Sequence, residues 1–310
     1  MAMKSRTLTL IAAAISALTA CSGATLLNAV VPSGGYRLRP DVAYGPDPDQ
    51  HLDVYVPRAP WTGGGPRPTV MFIHGGSWES GDKGMYKFVA EAMTSRGWVA
   101  VVPDYRKYPR VRWPSFMDDA ADAFSWVSEH AAEWGGDSRH IIAMGHSAGA
   151  HMAALLAMDP RYLARSPHPA SVAAVVGLSG PYDFLPITGP DIQDIFSTAG
   201  DLQLTQPIHF ARAGLPPMLL LHGEADDTVW PKNTRNLAAR LRESGSPVEE
   251  HIYPGVDHVR MVVSLAGPFR FRYRTLDDIA RFVAGALRTD GARTASTQPD
   301  SGGPALQGSR

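Results

Sequence analysis

The sequence predicts an α/β fold: a mostly parallel central sheet with helices on both faces. Short apolar runs at Thr69–Ile73, Trp98–Val102, His140–Met144, Val172–Leu178 and Met218–Leu221 read as strands buried on both sides. Segments of helical period separate them, and this alternation folds as parallel strands covered by helices. With 310 residues, 44% of them apolar, the chain can bury one large core, so a single domain is expected over residues 49–288.

The clearest helix is Phe116–Trp134. Phe116, Ala120, Ala123, Val127, Ala131 and Trp134 share one face, Asp118, Asp119 and Asp122 suit the N-terminal dipole, and Gly135-Gly136 stops the helix. A second helix spans Lys232–Ser244, with Leu237, Ala238 and Leu241 inward and Gly245-Ser246-Pro247 ending it. His51–Val56 alternates polar and apolar and reads as an antiparallel edge strand; Val248–Tyr253 is the last strand. Pro181–Pro217 breaks the alternation, with one short helical stretch near Asp191–Ala199 among prolines. That length fits either a small lid over a site or an irregular surface loop.

Lys4 and Arg6 precede an uncharged, largely apolar run, Leu8–Leu18, too short to span a bilayer. Residues 1–20 therefore read as an export signal. The run ends in Leu18-Thr19-Ala20-Cys21, which resembles the lipobox of bacterial lipoproteins and implies acylation of Cys21 and anchoring at a membrane of the cell envelope. Cys21 is the only cysteine, so it has no intrachain disulfide partner. Residues 21–48 read as a Gly/Pro-rich tether and 289–310 as a disordered tail.

Composition excludes several function classes. The 29 basic and 30 acidic residues nearly cancel and form no basic stripe, so nucleic acid is not expected as a partner. There is no internal repeat and no phosphate-cradling loop. His146 and His151 stand five apart at a helix start, poor geometry for one metal ion, so neither metal nor cofactor is expected. No obligate protein partner is evident.

The sharpest motif is Gly145-His146-Ser147-Ala148-Gly149, between the strand His140–Met144 and a small-residue helix, Ala150–Met158. A serine on a tight strand-to-helix turn stands exposed above a sheet, and flanking glycines relieve the crowding. Its hydroxyl needs a base to become a nucleophile, and the base needs an orienting acid. Asp226 and Asp227 both follow the strand Met218–Leu221; His258 follows Val248–Tyr253, with His251 on that strand as its rival. Strand C-terminal ends are where sites form in open parallel sheets. His74-Gly75-Gly76-Ser77-Trp78 follows Thr69–Ile73, where Gly75, Gly76 and Ser77, with Ala148, would line an oxyanion hole; His74 reads as structural.

These motifs, with Asp104-Tyr105-Arg106, Ala150-His151 and His222-Gly223-Glu224-Ala225-Asp226-Asp227-Thr228-Val229, resemble the carboxylesterases of the α/β-hydrolase superfamily. The nearest branches are the isoprenylcysteine methylesterase-like, arylformamidase-like and hormone-sensitive-lipase-like ones. The resemblance covers Thr69–Met158 and Leu215–His258. It implies an α/β-hydrolase fold, a Ser147–Asp226–His258 triad, and a small-molecule ester as substrate. Ser77 replaces the third glycine of the lipase-like motif, and there is no long N-terminal helical cap. Both departures favour the first two branches and imply an open site for small acyl groups or aromatic esters. An amidase or arylformamidase would use the same triad, and a non-catalytic surface lipoprotein would need none of it.

Overall fold

The computed structural model describes residues 27–164 and 171–296. Segment 1–20 and Cys21, to which the signal and acylation were assigned, lie outside them. Eight strands form one sheet: β1 (Tyr36–Ala43), β2 (His51–Pro57), β3 (Arg67–Ile73), β4 (Val99–Pro103), β5 (Gly136–His146), β6 (Val172–Leu178), β7 (Met218–Gly223) and β8 (Val248–Tyr253), ordered β1-β2-β4-β3-β5-β6-β7-β8. From β4 to β8 every pairing is parallel, whereas β1–β2 and β2–β4 are antiparallel. This is the expected α/β-hydrolase architecture.

Successive strand residues serve opposite faces of the sheet. Met71, Ile73, Ala143, Val175 and Leu220 join one apolar layer with α2 (Ser115–His130), α3 (Ala148–Met158) and α5 (Lys232–Glu243). Val70, Phe72, Met144, Val176 and Leu221 join the other with α1 (Lys87–Ser95), α6 (His258–Val263) and α7 (Thr275–Ser296). A sheet covered on both faces needs apolar residues at consecutive positions, which is why its strands read as unbroken runs.

Three features differ from expectation. The second half of the expected tether is β1, so His51–Pro57 lies inside the sheet and not at its edge. The side chains of β1 are mostly exposed, so its strand character lies in backbone pairing and its sequence looks polar. The tail expected from residue 289 begins instead as helix, because α7 runs on to Ser296. Asp119, assigned to the helix dipole, is fully buried: it accepts from the Arg106 guanidinium and backbone N–H and from the Gln50 amide. It thereby pins the Asp104-Tyr105-Arg106 turn to α2.

Between β6 and β7, the segment 181–217 carries α4 (Pro190–Ile195) and two 3-10 turns. It is docked, not loose: Ile195 and Phe196 are buried, and Asp194 accepts from Tyr108 and Arg112. Phe184 and Phe196 pack on Trp78, His151 and Trp113. Among the described residues no helix is long and apolar enough to cross a membrane.

Asp119→Ala leaves the Gln50 amide and the Arg106 guanidinium without their shared acceptor. It should lower stability by about 2–4 kcal/mol, read as a lower urea midpoint at unchanged slope. An unchanged midpoint would show that this carboxylate does not hold the turn.

Candidate active site

The parallel strands all end on one side of the sheet, and the chain leaves β3 towards β4 on one flank but towards β6 from β5 on the other. The crevice between β3 and β5 is thus the switch point at which open α/β sheets bind ligands. Ser147 follows β5 there, and the His74–Trp78 loop follows β3.

Ser147 adopts φ 55° and ψ −124°, a conformation costly for a residue with a side chain. The flanking glycines explain how it persists. A Cβ at Gly145 would overlap the backbone of Gly149, and one at Gly149 would overlap the carbonyl of Ile73. The turn is anchored by the Ser147 N–H donating to Leu178 at 2.9 Å, while the Ser147 carbonyl accepts from Ala150 and His151 at 2.9 and 3.1 Å. Ala148 opens α3, so its N–H has no partner within the helix.

The β3 loop lies directly against this turn. A Cβ at Gly75 would stand 2.9 Å from the His146 carbonyl and 3.1 Å from the Ser147 Cβ, so only glycine lets the two loops meet. Gly76, Ser77 and Trp78 follow at φ 123°, 53° and 60°. The His74 ring bonds the Gly75 carbonyl through Nδ1 at 2.8 Å and stacks on Tyr105, whose hydroxyl donates to the His74 carbonyl. His74 is accordingly a brace of the loop.

The fold brings Asp226 and His258 together. His258, the first residue of α6, bonds Asp226 Oδ2 through Nδ1 at 2.8 Å. Asp226 is buried and its Oδ1 also accepts from the N–H groups of Thr228 and Val229 at 3.1 and 2.9 Å. Burial alone would raise its pKa, but donors on His222, His258 and Val229 outweigh that and hold the carboxyl well below the ordinary range. The rivals are elsewhere: Asp227 is exposed, and His251 stays on β8 beside Glu249 and Tyr253.

Two supporting histidines escaped the sequence reading. His222, at the end of β7, donates through Nε2 to the Val229 carbonyl at 2.7 Å and lies 3.2 Å from Asp226 Oδ2, while its Nδ1 accepts from Thr234 Oγ1. His146 donates through Nε2 to the His258 carbonyl at 3.1 Å, its ring centroid 4.7 Å from that of His258. The residue preceding Ser147 therefore touches His258, and the residue facing Ser147 is Gly75. Membership of a quoted motif was the only available signal for either histidine, because such contacts form only in three dimensions. Among the described residues no group of three or more His, Cys, Asp or Glu side chains is placed to hold a metal ion.

The fold and this constellation define the class as α/β-hydrolase. The chain belongs to the BD-FAE family, whose model matches residues 52–241. It is 32% identical over 243 residues to Esterase LipC of Mycobacterium tuberculosis, covering 72% of this chain and 60% of that protein. It is 29% identical to the probable isoprenylcysteine alpha-carbonyl methylesterase ICMEL1 of Arabidopsis thaliana, covering 71% of this chain and 51% of that protein. The chain thus spans little more than half the length of these relatives. Among solved structures, the apo form of Thermogutta terrifontis esterase 2 superposes with a TM-score of 0.67 at 27% identity, covering 82% of this chain and 96% of that one. Esterase B from Lactobacillus rhamnosis reaches a TM-score of 0.76 at 22% identity, covering 95% of this chain and 99% of that one, and shares the fold.

Burial pushes His146 down to about 3, helped by the neighbouring His258, and His151 down to about 4. Both bind protons more weakly folded than unfolded, where the ordinary value is 6.5. Their contribution to stability is complete above pH 6.5 and declines as the pH falls through 6.5 towards 4 and 3. Each adds a slope of up to about 1.4 kcal/mol per pH unit. His151→Gln, which keeps a donor but cannot titrate, should flatten that decline in urea melts taken across this window; an unchanged slope would contradict the assignment.

Proposed function

We propose that the protein is a serine carboxylesterase working through an acyl-enzyme. The observation that carries the reading is the Asp226–His258 pair set beside a strained serine turn that glycine loops enclose. With His258 Nδ1–H donating to Asp226, Nε2 keeps its lone pair for the Ser147 proton. Ser147 Oγ attacks the ester carbonyl carbon, its proton passes to Nε2, and the same proton then protonates the departing alcohol. Water repeats the sequence against the acyl-enzyme, releasing the acid and restoring Ser147. The N–H groups of Gly76, Ser77 and Ala148 receive the oxyanion, an arrangement in which each donor is worth about 2.7–4 kcal/mol of transition-state stabilisation. Gly75 serves by its missing side chain, which lets the β3 loop meet the serine turn.

The names of the relatives support ester over amide chemistry. Small acyl groups are the expected substrates. Ser147 and His258 are each only 9% exposed, and aromatic rings fill the space around His151, one turn along α3 from the nucleophile. Thermogutta terrifontis esterase 2, 26% identical, has been solved with butyrate and with propionate bound.

The reading extends to location. Lys4 and Arg6, the run Leu8–Leu18 and the small residues before Cys21 support export and acylation of that cysteine, leaving the domain on a bacterial envelope membrane. Labelled palmitate incorporated by the parent and absent from Cys21→Ser checks it; equal labelling would contradict it.

Catalysis is tested with p-nitrophenyl acetate, butyrate and octanoate against parent and Ser147→Ala. The parent should favour the shorter esters, and Ser147→Ala should lose at least about 10³-fold in kcat/KM. Equal rates in the two proteins would sink the triad, and turnover of p-nitroanilides alone would move the assignment to amide hydrolysis.

A further inference from the structure

Between α6 and α7 the chain reads Phe269-Arg270-Phe271-Arg272-Tyr273-Arg274. Phe271 is 89% exposed and Phe269 37%, the former the most exposed large apolar side chain among the described residues. The loop is braced from beneath. Phe269 N–H donates to Ala266 at 2.8 Å, Arg272 N–H to Phe269 at 3.0 Å and Arg270 Nε to Leu265 at 2.7 Å, and the Arg270 guanidinium pairs with Glu91 of α1. Arg270 points into the protein and fixes the turn, so Phe271 is held out by a built support.

The charges around it are one-sided. Glu91, Asp277 and Asp278 are already paired, with Arg270, Arg96 and Arg281. Arg272 and Arg274 have no carboxylate partner among the described residues. Arg274 stands immediately before α7, where the helix dipole disfavours a cation, so folding stability does not account for it.

The N-terminal chain is tied to the start of α1, the helix against which the loop is braced. Asn28 accepts from the Phe88 N–H at 3.3 Å and donates to Gly84 at 2.7 Å, one turn of α1 from Glu91, and Val30 beside it is 60% exposed. Cys21 lies six residues before Leu27, a reach of at most about 20 Å.

We propose that the Phe269–Arg274 loop is a membrane-docking element that inserts Phe271 at the interface of an anionic lipid bilayer while Arg272 and Arg274 contact the headgroups. Exposed aromatics on a rigid loop flanked by unpaired cations match the two attractions of such a surface, apolar insertion and charge. With Cys21 acylated as read above, the anchor and the loop would engage the same bilayer. The loop's own binding does not depend on that acylation or on catalysis.

The test is co-sedimentation of the full chain carrying Cys21→Ser with vesicles of phosphatidylcholine alone and of an equal mixture with phosphatidylglycerol. Lys4 and Arg6 beside Leu8–Leu18 add an anionic preference of their own, which parent and loop variants share, so the loop's part is read as the difference between them. The proposal expects extra binding to the anionic vesicles that weakens with salt, a loss of about ten-fold on adding Phe271→Ser, and about five-fold for each of Arg272→Gln and Arg274→Gln. Thermal midpoints should stay close to the parent's, since Phe271 is exposed and Arg272 only lies over the Tyr273 ring; three separate variants keep the question answerable should one of them unfold. Equal partitioning to both vesicles, or variants that bind like the parent, overturns it, whether or not the protein hydrolyses esters.

Discussion

A left-handed backbone at Ser147 is the constraint around which the rest of the molecule is arranged. No non-glycine residue adopts it readily, so the surroundings must over-determine it. They do so by close approach: Gly145 against Gly149, Gly149 against Ile73, Gly75 against Ser147. Those approaches need β3 and β5 to be neighbours in register, with Ile73 opposite Gly145, and that needs both faces of the sheet to be packed. The two apolar layers, the β3 loop and the switch point are in this sense one device for holding a serine above a sheet.

Electrostatics completes the device. Asp226 is buried with donors from His258, His222 and two backbone N–H groups, so it stays ionised and fixes the tautomer of His258. His146 and His151 are buried where a charge is disfavoured, and both remain neutral near pH 7. His258 thus lies beside an uncharged neighbour, with one anion facing Nδ1. Thr234 in turn orients His222, so the support of the acid reaches into α5.

What the sequence disclosed follows from where information is local. Buried parallel strands announce themselves by apolar runs, and β6 begins and ends where the pattern places it, at Val172 and Leu178. Ser147, Asp226 and His258 stood out as candidates because each follows the C-terminal end of a strand and their order is the one the fold would require. β1 did not, because an edge strand is held by backbone hydrogen bonds and its side chains face water. Asp119 was misread because a helix face alone does not show that Gln50 and Arg106 converge on it from distant positions. His222 and His146 were missed for the same reason: their partners, Val229, Asp226 and His258, meet them only in the folded chain.

The most direct test of the central claim is reaction with diethyl p-nitrophenyl phosphate followed by peptide mass spectrometry. The account predicts a single diethylphosphoryl adduct on Ser147, formed in step with loss of esterase activity and slowed in Asp226→Asn. Loss of activity with the adduct on another residue, or an active protein that takes no adduct at Ser147, would contradict it.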